Sequence, residues 1–180
     1  MKKFHLILPV ILVLCFLAGC QDTEALAELE EFKAQAKLEE QNKALVRLYI
    51  ETFNGGDYEA LMELLSPEYA VYSPSGYPEP TSRELLIKSY QGAREAFSEL
   101  TWSIEDLVAA QDKVISRIIA KGTYKGGVPG LPKDEIKFEF SMITIMRIDD
   151  GKIVEEWQED DQLGLVRQLG MELKPKDAEK

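Results

Sequence analysis

The chain has 180 residues, 45% hydrophobic and 29% charged, enough for one domain with a real core plus a short spacer. Its 21 basic and 32 acidic side chains leave a net charge of −11, a field that repels phosphate backbones and argues against nucleic acid as a partner. The single histidine is His5, and the two cysteines are Cys15 and Cys20.

The chain opens "MKKFHLILPVILVLCFLAGC", a basic start, an apolar run from Phe4 to Leu17, and small residues before Cys20. That pattern predicts a secretory signal peptide over residues 1–19. The run is shorter than the roughly 20 residues a spanning helix needs. "LAGC" resembles the bacterial lipobox, which implies cleavage before Cys20 and lipidation of that cysteine; an ordinary signal peptide or an uncleaved anchor helix are the alternatives. Acyl chains on Cys20 would hold the protein on a membrane surface, at roughly 0.8 kcal/mol per buried methylene. The expectation is an exported protein, lipid-anchored to the cell envelope, with Gln21 after the cysteine permitting the outer membrane. Loss of the leader removes Lys2 and Lys3 and takes the charge from −11 to −13. It also removes His5 and Cys15. The mature chain then has no material for Ser-His-Asp or Cys-His nucleophiles, intrachain disulfides or ordinary zinc sites. No D-x-[DN]-x-[DN]-G calcium loop is present, so no metal site is expected.

Residues 20–42 form the lipidated N-terminus and a segment rich in Ala, Leu, Glu, Lys and Gln, residues that favour helix. Leu26, Leu29, Phe32 and Ala36 make only a thin apolar stripe, which suits a polar spacer or, failing that, a pairing helix. A single domain is predicted over 43–173. Leu45, Leu48, Tyr49 and Phe53 stand at helical spacing, and Asn54-Gly55-Gly56 stops the helix. Asp57 caps a second helix carrying Leu61, Leu64 and Leu65, which ends by Pro67. A short strand around "YAVYS" leads into a loop with Pro74, Gly76, Pro78 and Pro80. Thr81 or Ser82 opens a third helix with Leu85, Leu86, Tyr90, Ala93 and Phe97 as its buried face.

The period then changes to alternation. "LTWSIEDLVAAQ", "DKVISRIIAKGTYKG", "EIKFEFSMITIMRIDD" and "KIVEEWQEDD" read as four long strands, with hairpin chemistry at Gln111-Asp112 and Asp149-Asp150-Gly151. "GGVPGLPKD" is a longer loop, a last helix covers about 162–169, and 174–180 is a tail that frays. Helices first and an antiparallel meander after predict an α+β domain. Its strongly curved antiparallel sheet, with three N-terminal helices packed on it, closes a cone-shaped α+β barrel around a cavity.

"FNGGDYEALMELLSPEY", "GTYKGGVPGLP", Arg117 and above all "DGKIVEEWQEDDQLGLVRQLG" resemble the SnoaL-like polyketide cyclases of the nuclear-transport-factor-two-like superfamily. The resemblance covers about residues 42–173. It implies ring closure by intramolecular aldol chemistry without metal or organic cofactor, and an aspartate near the end of the last strand as general acid/base, which by motif is Asp161. It also implies histidines at two positions that here are Tyr72 and Tyr124. Tyrosine donates a hydrogen bond to a carbonyl or enolate, but with a reference pKa near 10 it is a poor proton shuttle.

Alternation places Trp157 and Asp161 on one strand face, although Glu155 and Glu159 share that parity and a bulge would reverse the assignment. A buried indole beside a carboxylate would raise its pKa. Asp161 is equally a cap for the final helix. Arg117 either pairs with Glu139 or Asp161 inside the cone or stands on an outer face. Tyr72, Arg117, Tyr124 and Trp157 are thus the candidate ligand-binding residues and Asp161 the candidate catalytic one. The favoured reading is a tethered module binding a small apolar or amphipathic molecule. The alternatives are a cofactor-free cyclase, isomerase or hydratase using Asp161, and an interaction protein that forms a homodimer through its sheet face.

Overall fold

A computed structural model describes the backbone of residues 4–73, 79–127 and 135–172, with side chains from residue 23 onward. The lipidation candidate Cys20, the centre of the proline loop at 74–78, the loop apex at 128–134 and the tail fall outside the described side chains. Helix α1 runs Phe4–Gly55 and passes through the predicted boundary at residue 42. By its contacts the chain divides at Leu38/Glu39, and the second unit holds everything that follows.

In that unit the order is the end of α1, α2 (Tyr58–Leu64), β1 (Leu65–Tyr72), β2 (Thr81–Ser82), α3 (Arg83–Ala96), β3 (Phe97–Ala110), β4 (Lys113–Tyr124), β5 (Ile136–Asp149), β6 (Lys152–Asp160) and α4 (Gln162–Gln168). The predicted α+β architecture is present. One curved six-stranded sheet has the order β2-β1-β6-β5-β4-β3. The long strands pair antiparallel, but β1 lies parallel to β6: α3 carries the chain from the β2-β1 edge to β3 at the other edge, and the meander from there brings β6 back beside β1.

Local chemistry explains the boundaries. Asp57 accepts a hydrogen bond from the Ala60 amide at 3.0 Å and caps α2, and Ser82 accepts from the Leu85 amide and caps α3. Asp150 and Gly151 both hold positive φ, the backbone a two-residue hairpin between twisted strands requires. Gly122 has another reason to be glycine: a Cβ there would sit 2.9 Å from the Phe138 ring. The Asn54 side-chain amide donates to the Trp102 carbonyl and its oxygen accepts from the Trp102 amide, both at 2.8 Å, so the end of α1 is stitched to β3. Gln168 makes the same two-way pairing with the Glu139 backbone and fixes α4 against β5.

The core lies between helices and sheet. Val46, Tyr49, Ile50 and Phe53 of α1 and Leu86, Ile87 and Tyr90 of α3 pack on Val114, Ile118, Met142, Met146 and Ile153 of the strands. Phe53 stacks on Trp102 with ring centres 3.7 Å apart, and Tyr90 meets both rings edge-on. Leu48 and Leu85, expected on buried faces, are exposed instead; Val46, Ile50 and Ile87 take the inner positions.

Candidate functional site

The strand β6 decides which acid faces inward. Ile148 pairs with Ile153, but the next β5 residue, Arg147, pairs with Glu155, so Val154 is an extra residue and the strand is bulged there. Beyond the bulge, Glu156, Gln158 and Asp160 pair with the inward-facing Met146, Thr144 and Met142, while Trp157 and Glu159 pair with Ile145 and Ile143 on the outer face. One inserted residue has turned the strand over.

The structure therefore separates the expected constellation. Trp157 is 36% exposed and Tyr72 is 41% exposed; they are register partners on the outer face, stacked with ring centres 5.7 Å apart. Arg117 stands on the same face and bonds Asp106 of the neighbouring strand at 2.6 Å, not Glu139 or Asp161 inside. Tyr124 is fully buried beside Phe97 at the far end of β4. Asp161 accepts from the Gly164 amide at 2.8 Å and is the N-cap of α4. Its carboxylate is committed to a helix terminus, because "DQLG" offers the free amides that an aspartate satisfies best. None of these five lines the internal cavity.

The cavity measures about 300 Å³ and is walled mainly by rings and aliphatic chains: Phe53, Tyr90, Phe97, Leu100, Trp102, Phe138, Phe140, Met142 and Leu165. Its polar side chains are Ser89, Gln158 and Asp160. Asp160, not Asp161, is the acid that faces it. One carboxylate oxygen of Asp160, Oδ1, is buried without a hydrogen-bond partner. Burial raises the Asp160 pKa above the usual aspartate range, and the Gln162 and Gln158 amides pull the other way without cancelling it. An unpaired carboxylate oxygen at an apolar wall is a ready acceptor for a ligand's O–H or N–H, or for a proton. Among the described residues no set of three or more His, Cys, Asp or Glu converges as metal ligands.

Deeper along the same face lies Glu156, 1% exposed. Its Oε2 accepts the Tyr69 hydroxyl at 2.6 Å, and its Oε1 has no partner. The Tyr49 and Tyr90 hydroxyls meet at 2.8 Å. Desolvation raises the Glu156 pKa to about 7, against the smaller lowering effect of the Tyr69 hydrogen bond. Sequence reasoning missed this residue because the bulge is silent in the alternation; the available signal was three tyrosines on buried faces, each needing a polar partner.

Residues 43–169 match the family model for SnoaL-like polyketide cyclase. The chain belongs to that family. It is 29% identical over 131 residues to the aklanonic acid methyl ester cyclase DnrD of Streptomyces peucetius, across 70% of this chain and 88% of that protein. Among solved structures, IdmH of Streptomyces antibioticus, assigned as a polyketide cyclase, is similar with a TM-score of 0.67 and 31% identity, covering 73% of this chain and 99% of that one. AclR of Streptomyces galilaeus, assigned as a hydroxylase, is similar with a TM-score of 0.64 and 25% identity, covering 73% and 97%. Proteins of similar structure thus carry more than one assigned reaction, and the site of this chain has to be read from its own residues.

Proposed function

We propose that the protein is an envelope lipoprotein whose SnoaL-like domain binds a small, largely aromatic molecule carrying a hydrogen-bond donor, with Asp160 as the polar anchor. The observation that carries the reading is the unpaired, buried Oδ1 of Asp160 on an otherwise ring-lined cavity. The basic start, the apolar run and "LAGC" support the lipid anchor on Cys20. The test uses 2-naphthol, two fused rings with one hydroxyl, titrated against tryptophan fluorescence. Asp160→Leu should weaken binding about tenfold, the order of one hydrogen bond to a charged group, and Asp161→Asn should leave it unchanged. Equal affinity in wild type and Asp160→Leu would remove the anchor.

A second reading is that Asp160 moves a proton, in the manner of the cyclases the chain resembles. The desolvated carboxyl favours it, since a raised pKa brings an aspartate toward the range where it both takes and returns protons. Deuterium exchange into a cyclic 1,3-diketone by the wild type, absent in Asp160→Asn, would support it; equal exchange by both would exclude it.

A homodimer through the outer sheet face is a separate proposal. Tyr72, Trp157, Ile145, Ile115 and Val108 are successive register partners and form one apolar row across five strands. Glu155, Arg147 and Lys113 flank it on one side and Glu159, Arg117 and Asp106 on the other, mixed-sign rims that suit a self-complementary contact.

A further inference from the structure

The turns of α1 that precede the domain bury nothing: every side chain from Thr23 to Leu38 is exposed. Two hydrogen bonds mark where that stretch ends. Glu39 accepts from the Gln111 amide and Asn42 donates to the Gln111 carbonyl, both at 3.1 Å. Yet the exposed turns are not uniformly polar. Ala25, Leu29, Phe32 and Ala36 recur at intervals of four, three and four residues, the a and d spacing of a helical seam. Leu29 is 47% exposed and Phe32 69%. The next positions in the same phase are Asp22 on one side and Glu39 and Lys43 on the other, so charge closes the seam at both ends. The result is a short apolar face with a defined start and finish.

The flanking charges say which way a partner helix would run. In a parallel pair, position g of one helix faces position e of the following heptad on the other; in an antiparallel pair, g faces g and e faces e. Glu28 and Lys33 hold those g and e positions. Two parallel copies set Glu28 of each beside Lys33 of the other, which makes two opposite-charge contacts by symmetry. Antiparallel copies would set Glu28 beside Gln35 and Lys33 beside the apolar Leu26. Lys33 bonds Glu30 of its own helix at 3.0 Å, but both side chains are exposed and such a pair exchanges at little cost. We propose that residues 25–36 of two copies of this chain pair as parallel helices, Leu29 and Phe32 packed between them and Glu28 set against Lys33. A tether at Cys20 demands the same orientation, because chains anchored to one surface leave it in the same direction; in this the inference rests on the lipid anchor proposed above. So short a seam does not hold free chains together against the entropy of association, but a shared surface has already removed much of that freedom. The seam lies wholly before residue 43, where the SnoaL-like match begins, and shares no residue with the apolar row of the sheet.

The test is copper-phenanthroline cross-linking of the full chain in membranes of a bacterial expression host, read as a disulfide dimer on a non-reducing gel. Ala36→Cys should form a homodimer, because parallel pairing sets residue 36 against itself, whereas antiparallel pairing sets it against residue 25. Ala34→Cys, on the opposite face of the helix, should cross-link about tenfold more slowly, since its Cβ vectors point apart. Glu28→Lys added to the Ala36→Cys chain should slow the dimer about threefold, and Lys33→Glu added to both should restore it. Trp157→Ser in the Ala36→Cys chain should leave the cross-link in place, which separates the seam from the sheet face. Equal rates at residues 34 and 36, an adduct with a protein of another mass, or no rescue by the charge exchange would each overturn the pairing. The wild type should give no dimer, because a lipidated Cys20 has no thiol to oxidise. A wild-type dimer would sink the anchor instead, and the comparison of Ala36→Cys with Ala34→Cys, repeated in a Cys20→Ser chain, would still decide the seam.

Discussion

The two faces of β6 differ by one residue of register and by almost everything else. Inward, Glu156, Gln158 and Asp160 run from a dry core to a ring-lined cavity; outward, Trp157 and Glu159 stand in solvent beside Tyr72 and Ile143. The inner face concentrates acids whose pKa burial has raised, whereas the outer face carries ion pairs such as Arg117–Asp106 and an uncovered apolar row. A polar group buried without a full set of partners is costly, and its persistence points to a use; an exposed ion pair is worth little either way. The proposed ligand chemistry uses the inner face and the proposed self-association the outer one.

That contrast can be tested from its strongest consequence downward. Phe53→Ala, which removes a fully buried ring stacked on Trp102, should cost about 3–5 kcal/mol in urea unfolding. Glu156 comes next. The folded carboxyl keeps its proton up to about pH 7, whereas the unfolded chain releases it near the ordinary glutamate value of 4.5. Between those values the folded state binds more protons, so stability is whole below about pH 4.5 and is lost as pH rises through 7. The loss amounts to about 3 kcal/mol, and unfolding curves from pH 4.5 to 8.5 should show that slope in the wild type and not in Glu156→Gln. Asn54→Ala leaves both Trp102 backbone groups without their partner and should cost about 1–3 kcal/mol. Asp161→Ala, which removes only the cap of α4, should cost about 1 kcal/mol and leave 2-naphthol affinity intact. On the outer face, Trp157→Ser should change stability by no more than about 0.5 kcal/mol while reducing self-association in analytical ultracentrifugation. A large stability loss there would mean that the outer face is not free.

Much of the fold was legible because its signals are local. Asp57 and Ser82 cap the helices as their residue types demand, Asp150-Gly151 makes the hairpin, and the change from helical to alternating period announces β3, although the strand begins at Phe97, which helical spacing assigns to α3. The site was legible only as a neighbourhood. The end of the last strand does supply the acid, but the bulge at Val154 turns Asp160 inward and leaves Asp161 to the helix. Nothing in "KIVEEWQEDD" announces that insertion, because it appears only as a mismatch with the partner strand, and pairing is a tertiary fact. Trp157 moved to the outer face with that bulge, and there it stacks on Tyr72, which simple alternation with the buried Tyr69 and Val71 of β1 already turns outward. The parallel pairing of β1 with β6 was hidden for the same reason.

The central claim is that Asp160, aimed into a ring-lined cavity, is the acid a ligand meets. A crystal structure of the protein with 2-naphthol measures this most directly. The account predicts the fused rings lodged among Phe53, Trp102 and Phe138 with the hydroxyl donated to Asp160 Oδ1. A probe found instead on the outer face against Tyr72 and Trp157, with the Asp160 carboxylate turned to solvent, would contradict it.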